Sequence, residues 1–296
     1  MPGCDHPVPL SRRGAWRDKF PHPYATPMRG ASVPRLDVDG TTMSFIDEGR
    51  GVPVVLLHAG ASSARQWGKL IARLRRRYRV LAPDFHGQGE TSEWTAGRPL
   101  SLADEWKLVE AMFRLSPGPA HLVAHSYGGW VAVDGALVAG GRLSSLTLIE
   151  PSAFHLLRDD GAAGDYREIH ALCEAHVDLV GQGRLMEVAE RSISYWFGAA
   201  TWRGMEEDRR AAVAALMPAH AKGFAAIFAP RVDLAEYRRL EVPTLLMRGT
   251  RTVAPSRRVV ELLHRTLPDN RLVEIAGAGH TSPMSHADAV NAEIEA

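Results

Sequence analysis

The sequence contains little cysteine and no long apolar run. Its two cysteines, Cys4 and Cys173, lie far apart, so they indicate no disulfide framework, and their spacing is not that of metal ligands. No apolar stretch approaches the roughly 20 residues that span a membrane. Arg12-Arg13 is not followed by the apolar segment that an export signal requires. We therefore expect a soluble, cytoplasmic protein with no membrane partner and no metal.

The sequence also lacks an excess of either charge. Its 296 residues include 35 Lys and Arg and 34 Asp and Glu, for a net charge of +1, so no nucleic acid or other polyanionic partner is indicated. With 45% hydrophobic and 23% charged residues, the composition is that of an ordinary globular protein. The length suits one large domain or a domain with an insertion. We expect a small-molecule substrate as the partner, and the sequence indicates no oligomeric state.

Strand and helix patterns alternate over most of the chain. Residues 1–34 are rich in proline without periodicity and are predicted to form a tail. Residues 35–151 and 236–296 form a predicted α/β core, which residues 152–235, helical in pattern, interrupt. Ligand sites in parallel α/β sheets lie at the carboxyl ends of the strands. The predicted strands are Leu36–Val38, Thr42–Asp47, Pro53–Leu57, Arg79–Ala82, His121–Ala124, Ser145–Ile149, Val242–Met247 and Arg271–Ile275.

The segment Val123–Trp130 has the form of a nucleophile elbow. An apolar strand is followed by a sharp turn at Ser126 and then by a predicted helix, and such a turn lifts the serine Oγ clear of the sheet. Gly128 and Gly129 are small enough for the strand and the helix to pass close together. Ala124 stands where many elbows have glycine, and the pattern alone also fits an ordinary Ser-Tyr-Gly turn. The assignment depends on a base, an acid and an oxyanion site elsewhere in the chain.

Two further segments follow predicted strands and supply candidates for the base and the oxyanion site. His280 ends a glycine-rich segment after the last strand. A lone histidine is usually structural, but these glycines allow the loop to fold back toward the elbow. The backbone N–H of Gly60 and that of Tyr127 are candidates to bind an oxyanion together. The alternative for Gly60 is a plain glycine turn.

Five segments together resemble the α/β-hydrolase superfamily over nearly all of residues 35–296. They are HAGASSARQW, PDFHGQGETS, VAHSYGGW, VPTLLMRGT and IAGAGH. The resemblance implies a mostly parallel eight-stranded α/β sheet with helices on both faces, and a helical cap formed by residues 152–235. It also implies Ser-His-acid chemistry, usually on esters, lactones, amides or thioesters, with no metal or organic cofactor. The chain order of the three residues is serine, acid, histidine. Fold alone does not determine the function.

The acid departs from the pattern of most relatives. They place an Asp in a Gly-x-x-Asp turn after the strand before the last, and this turn here ends at Thr252. Some relatives place the acid after the strand that follows the elbow, and in this chain that strand ends at Glu150. A carboxylate at a buried strand end is costly unless it is paired. We therefore predict Glu150 as the acid, and the alternative is a loop residue bonded to backbone N–H groups.

The predicted cap contributes aromatic residues, of which Phe154, Trp196 and Phe197 are candidates to line an apolar pocket above Ser126. We predict a serine hydrolase that cleaves a small, fairly apolar carboxylic ester or lactone through an acyl-enzyme. The serine argues against haloalkane or epoxide hydrolysis, where relatives use an aspartate. C–C bond hydrolysis, lyase or perhydrolase chemistry stays open. So does a non-catalytic member that binds a small molecule, for which Thr252 is the only support in the sequence.

Overall fold

Eight strands form one sheet at the centre of the computed structural model, which describes residues 33–158, 161, 163–229 and 232–296. The predicted tail, residues 1–34, lies outside the described residues except for its last two. The strands are β1 (Arg35–Val38), β2 (Thr41–Gly49), β3 (Val52–Leu57), β4 (Tyr78–Pro83), β5 (Ala120–His125), β6 (Leu143–Ile149), β7 (Thr244–Gly249) and β8 (Asn270–Ile275).

The order of the strands across the sheet is β1-β2-β4-β3-β5-β6-β7-β8. Only β2 runs antiparallel to its neighbours, β1 and β4, and all other pairs are parallel. The turn between β1 and β2 has positive φ at both Asp39 (51°) and Gly40 (84°), the combination that a two-residue type I′ hairpin requires. The predicted mostly parallel α/β sheet is confirmed.

Helices cover both faces of the sheet and bury two apolar clusters. One face carries α2, α3 and α9, whose apolar side chains pack on β3, β5, β6 and β7; the other carries α1 and α11. The sequence pattern predicts one helix over Ala64–Arg75, and the structure has instead a 3₁₀ turn, Ala64–Trp67, followed by a short α1. The helices of the core are α1 (Gly68–Leu74), α2 (Leu102–Arg114), α3 (Tyr127–Ala139), α9 (Ala254–Thr266), α10 (Ser282–Ser285) and α11 (Ala287–Glu295).

The described residues between β6 and β7 contain helices and no strand. Helices α4 and α8 pack on each other and on the core through Ile169, Cys173 and Phe224. Other helices of this segment surround a small apolar cluster of their own, which includes Val188 and Trp202. These helices are α4 (Ala163–Gly181), α5 (Leu185–Phe197), α6 (Ala199–Arg203), α7 (Glu207–Ala215) and α8 (Met217–Ala226). Among the described residues, no helix is long and apolar enough to cross a membrane.

A buried polar cluster joins the two ends of this helical segment to the core. Asp134 on α3 accepts a hydrogen bond from the hydroxyl of Tyr237, at 2.5 Å from Oδ1. Tyr237 lies in a 3₁₀ turn, Leu234–Arg239, just before β7. Its oxygen accepts from Nε2 of His155, 3.2 Å away in the turn that follows β6. Burial raises the pKa of Asp134 from 3.8 to about 7, so the protonated carboxyl is the form that the fold favours.

We expect Asp134→Asn to change how stability depends on pH. Because the folded state holds a proton that the unfolded chain releases above about pH 4, the wild type loses stability as pH rises from about 4 to 7. The loss is on the order of 4 kcal/mol, and asparagine does not titrate. The measurement is urea unfolding between pH 4 and 8. The free energy of unfolding of the variant, minus that of the wild type, should therefore rise from pH 4 to about pH 7. Asp208→Asn, at an exposed position, is the control, and a pH-independent difference for Asp134→Asn would contradict the assignment.

Candidate active site

Ser126 occupies a strained turn between β5 and α3. Its φ of 54° and ψ of −114° lie outside the regions that residues other than glycine usually adopt. The turn is held because the N–H of Ser126 donates to the carbonyl of Ile149 (3.0 Å), and its carbonyl accepts from the N–H of Ser152 (2.9 Å). The helix starts very close to β3, since a Cβ on Gly128 would lie 2.7 Å from the carbonyl oxygen of His58. This close approach explains why position 128, two residues after the serine, requires glycine.

A continuous chain of hydrogen bonds joins Ser126, His280 and Glu150. Nε2 of His280 lies 2.8 Å from Oγ of Ser126, and Nδ1 lies 2.7 Å from Oε2 of Glu150. All three side chains are buried, with 8%, 6% and 0% of Ser126, His280 and Glu150 exposed. An ionised carboxylate only accepts hydrogen bonds, so the proton of the imidazole lies on Nδ1 and the serine hydroxyl donates to Nε2.

Glu150 keeps its charge although it is completely buried. Burial raises the pKa of Glu150, but the hydrogen bonds and the nearby imidazole outweigh burial and hold the pKa below its ordinary value. Besides His280, the donors are the N–H of Gly249, 2.7 Å from Oε1, and the hydroxyl of Thr252, 2.5 Å from Oε2. Thr252, which stands where most relatives have an Asp, therefore supports the carboxylate. The carboxylate contacts the imidazole as well as a backbone N–H, so both sequence-based alternatives for Glu150 describe part of its surroundings.

The loop that carries His280 is anchored to its neighbours at two places. A Cβ on Gly249 would lie 2.3 Å from the carbonyl oxygen of Ala278, so only glycine lets the loop pass there. His125 donates from Nε2 to the carbonyl of His280 at 2.8 Å and accepts at Nδ1 from the amide of Gln66 at 3.4 Å. Burial lowers the pKa of His125 to about 3, so this ring is neutral and can both donate and accept. In the sequence, His125 is indistinguishable from an ordinary buried strand residue, so its role was not predicted.

Gly60 and Tyr127 lie beside each other at the other end of the site. A Cβ on Gly60 would lie 3.6 Å from the Cβ of Tyr127. Tyr127 is the first residue of α3, so its N–H has no acceptor within the helix. Its hydroxyl donates to Oε1 of the buried Glu105 at 2.7 Å, and Nδ1 of His86 lies 2.9 Å from Oε2 of the same carboxylate. These contacts hold the start of α3 against α2 and the loop after β4.

The loop after β4 is tied by the carboxylate of Asp84. Its Oδ1 accepts from the N–H of Ala64 at 2.8 Å and its Oδ2 from the N–H of Glu90 at 3.0 Å. Asp84 thus links the loop after β3 to the loop after β4. The loop sequence predicts structural roles for Asp84 and His86. His86 also contacts its surroundings through both ring nitrogens, which lie near Thr41 and Glu105.

A second serine touches the first. Oγ of Ser152 lies 3.1 Å from Oγ of Ser126, and Ser152 is 3% exposed. Because the hydroxyl of Ser126 donates to His280, the hydroxyl of Ser152 is the donor in this contact. Ser152 therefore helps to hold Ser126 Oγ in the orientation that faces the imidazole.

Aromatic rings of the helical segment cover His280. The ring of Trp196 stacks on the imidazole with centroids 4.2 Å apart and an angle of 28°. Phe154 stacks on Trp196 at 6.4 Å and on Phe228 at 6.3 Å. Phe197, also predicted to line the pocket, is the last residue of α5, and its ring takes part in none of the aromatic contacts of the described residues.

The row of rings continues to the loop that contains Gly60. Phe228 contacts Phe224 at 5.9 Å, and Phe224 stacks on His220 at 5.6 Å. Nδ1 of His220 would lie 3.0 Å from a Cβ on Gly60. The row thus runs from the imidazole at one side of Ser126 to the candidate oxyanion loop at the other. We name as the aromatic wall the side chains of Trp196, Phe154, Phe228, Phe224 and His220.

Comparison with known proteins agrees with this architecture. The model of the alpha/beta hydrolase family matches residues 54–293. The chain belongs to the alpha/beta hydrolase family. The chain is also similar to the crystal structure of a hydrolase from Pseudomonas aeruginosa PA01. The match has 26% sequence identity and a TM-score of 0.70, and it covers 90% of this chain and 98% of that one.

Two curated relatives match shorter regions. A pimeloyl-(acyl-carrier protein) methyl ester esterase from Methylococcus capsulatus is 37% identical over 109 residues, 36% of this chain and 39% of the relative. An (E)-2-((N-methylformamido)methylene)succinate hydrolase from Acinetobacter baylyi is 23% identical over 171 residues, 57% of this chain and 59% of the relative. The alignments thus span less than two thirds of either relative, and we treat the reaction and the substrate as proposals.

Proposed function

We propose that this enzyme is a serine hydrolase that cleaves a small, fairly apolar carboxylic ester or lactone through an acyl-enzyme intermediate. The observation that carries the proposal is the chain of hydrogen bonds from Ser126 through His280 to Glu150. A nucleophile and a base within hydrogen-bond reach, with the base oriented by a third group, is the arrangement that nucleophilic catalysis requires. Three such side chains meeting in a buried site, at the carboxyl edge of a parallel sheet, support this chemistry over a structural role.

In the first half of the reaction, Ser126 Oγ attacks the carbonyl carbon and His280 Nε2 takes its proton. Glu150 keeps the imidazole in the correct tautomer and stabilises its positive charge. The N–H groups of Gly60 and Tyr127 stabilise the oxyanion of the tetrahedral intermediate. His280 then gives its proton to the leaving oxygen, which departs as an alcohol, or as the free hydroxyl end of an opened lactone.

In the second half, water replaces the alcohol. His280 takes a proton from the water, which attacks the acyl carbon, and the second tetrahedral intermediate collapses to release the carboxylic acid and Ser126. Every proton in both halves passes through the same imidazole nitrogen. The reaction therefore needs only the groups that surround Ser126.

The helical segment acts in this proposal as a cap over the site. Residues 152–235 supply the aromatic wall, and the stacking of Trp196 on His280 supports the assignment. Apolar walls with a few polar groups are typical of pockets for small molecules. The wall favours a substrate of small size and low polarity. The similarity to a relative named as a methyl ester esterase supports an ester as the reacting group.

Labelling with a fluorophosphonate tests the proposal directly. We expect a covalent adduct on Ser126, found by mass spectrometry of the digested protein, because only an activated serine attacks the phosphorus at a useful rate. Hydrolysis of simple methyl and nitrophenyl esters should be lost in proportion to the fraction labelled. Folded wild-type protein that neither reacts with the probe nor hydrolyses any ester would exclude a serine esterase.

A further inference from the structure

Two histidines of the helical segment have buried ring nitrogens without hydrogen-bond partners. His176 on α4 is 0% exposed, and neither of its nitrogens has a partner among the described residues; the same is true of Nε2 of His220 on α8. Buried polar atoms in proteins are nearly always hydrogen-bonded, and an unmatched one is destabilising. Such nitrogens are therefore expected to gain a partner, either from the neighbouring ring or from a molecule that enters the site.

The position of the two rings connects them to the reaction centre. Their centroids lie 5.6 Å apart, and both rings contact Phe224. The Nδ1–Cε1 edge of His220 faces Gly60, with Nδ1 3.0 Å and Cε1 3.3 Å from the position of a Cβ on that glycine. His220 is thus the polar end of the aromatic wall, on the side of the site opposite the Trp196–His280 stack.

The electrostatic surroundings favour an uncharged partner. Burial lowers the pKa of His176 to about 3 and that of His220 to about 4, so both rings are neutral near pH 7. Two buried carboxylates, Glu105 and Glu150, already lie around the site, and no lysine or arginine among the described residues is buried. The arginine that acts on His176, Arg191, is exposed. A buried anion here would therefore lack a buried cationic partner and would face like charges, both of which are unfavourable.

We propose that the acyl part of the substrate carries a second, uncharged oxygen, a ketone or a hydroxyl, that hydrogen-bonds to His220. This inference rests on the proposed function. The acyl part is the one concerned because the leaving oxygen must face His280, which protonates it, whereas His220 lies at the oxyanion side. A substrate of this class is a keto or hydroxy ester, or a lactone with the same substituent.

His176 has a positioning role in this arrangement. A small shift of either ring lets His176 donate to Nε2 of His220, which leaves the proton of His220 on Nδ1. That nitrogen faces Gly60 and is the donor to the substrate oxygen. This pairing gives one nitrogen of each ring a partner, and the substrate oxygen then provides an acceptor for Nδ1 of His220.

Matched methyl esters test the inference. One series places a ketone at C4 to C7 of the acyl chain, a second has plain alkyl chains of the same length, and a third ends in a carboxylate. We expect kcat/KM of the wild type for the best keto ester to exceed that for its alkyl match about tenfold. His220→Phe should abolish the preference and His220→Asn, which keeps a donor near the position of Nδ1, should restore part of it. His176→Phe should reduce the preference, and His170→Phe, in the same helix, should leave it unchanged.

Binding to Ser126→Ala protein, followed by calorimetry, separates this inference from the proposed function. A keto preference in Kd that His220→Phe abolishes supports the inference even if no ester is hydrolysed, in which case the esterase proposal alone fails. Equal affinity for keto and alkyl esters overturns the inference, and indicates that water alone fills the space around the two histidines. Preference for the carboxylate series overturns it as well, because the partner would then be an anion.

Discussion

Replacement of Ser126 by alanine is expected to lower kcat for ester hydrolysis by about 10⁴–10⁶-fold. The loss is large because every bond-forming step passes through Ser126 Oγ, the atom that His280 Nε2 approaches to 2.8 Å. Some acceleration over water should remain, since the N–H groups of Gly60 and Tyr127 are backbone donors that the substitution does not remove. Alanine has the same backbone preferences as serine at φ 54°, so thermal unfolding should change little. Steady-state rates with the best ester found, at matched protein concentration, measure the effect.

Ser152→Ala is the matched control for this variant. It removes a hydroxyl 3.1 Å from Ser126 Oγ but leaves the nucleophile and the base in place. We expect a loss of about tenfold or less, the value of one hydrogen bond. A serine mechanism at Ser126 would be wrong if Ser126→Ala kept near-normal turnover, or if Ser152→Ala were the more damaging of the two.

The fold could be predicted from the sequence because its strands have a simple pattern. β3 is a continuous apolar run, as expected for a strand buried on both faces, and Gly or polar residues bound it. The order of the strands, which was not predicted, depends on crossover connections whose handedness is nearly invariant. The helix from Ala64 was predicted less well. Side-chain contacts decide its first turn, since Gln66 accepts from the N–H of Ala59 at 3.0 Å, and helical periodicity does not report such contacts.

The candidate site could be located because its members follow strand ends. Ser126, Glu150 and His280 each come directly after a parallel strand or the loop beyond it, and the carboxyl ends of such strands share one edge. The structure brings these three side chains into hydrogen-bond contact. That they act as nucleophile, acid and base stays a prediction.

The residues that the sequence did not reveal act through distant contacts. His125 looks like any strand residue, yet its ring bonds to the carbonyl of His280, 155 positions away. His220 and His176 stand on different helices, and only the packing of α4 against α8 brings their rings together. In the sequence, Thr252 stands where most relatives have the catalytic Asp, so it indicated only a missing carboxylate. In the structure, its hydroxyl donates to Glu150 from the neighbouring strand end. Such roles depend on which side chains meet in space, and one sequence does not contain that information.

Glu150→Gln is expected to lower kcat by about 10³–10⁴-fold with little change in fold. The reason lies in the donors around the carboxylate. The N–H of Gly249 can only donate, so the amide oxygen must replace Oε1, which receives that bond at 2.7 Å. The amide NH₂ then takes the place of Oε2 and faces Nδ1 of His280. Because this NH₂ donates, it forces the proton of the imidazole onto Nε2, where it blocks acceptance of the serine proton.

Thr252→Ala is the matched control, because Thr252 donates to the same oxygen that His280 contacts. Removal of the Thr252 hydroxyl leaves the carboxylate, the Gly249 N–H and the imidazole in place. We therefore expect kcat to decrease by less than about tenfold. The histidine tautomer gives a second readout: ¹⁵N NMR should find the proton of His280 on Nδ1 in the wild type and in Thr252→Ala, but on Nε2 in Glu150→Gln. The acid would have to be sought elsewhere if Thr252→Ala lost more activity than Glu150→Gln. A third result, an unchanged tautomer in Glu150→Gln together with near-normal kcat, would leave Ser126 and His280 acting as a dyad.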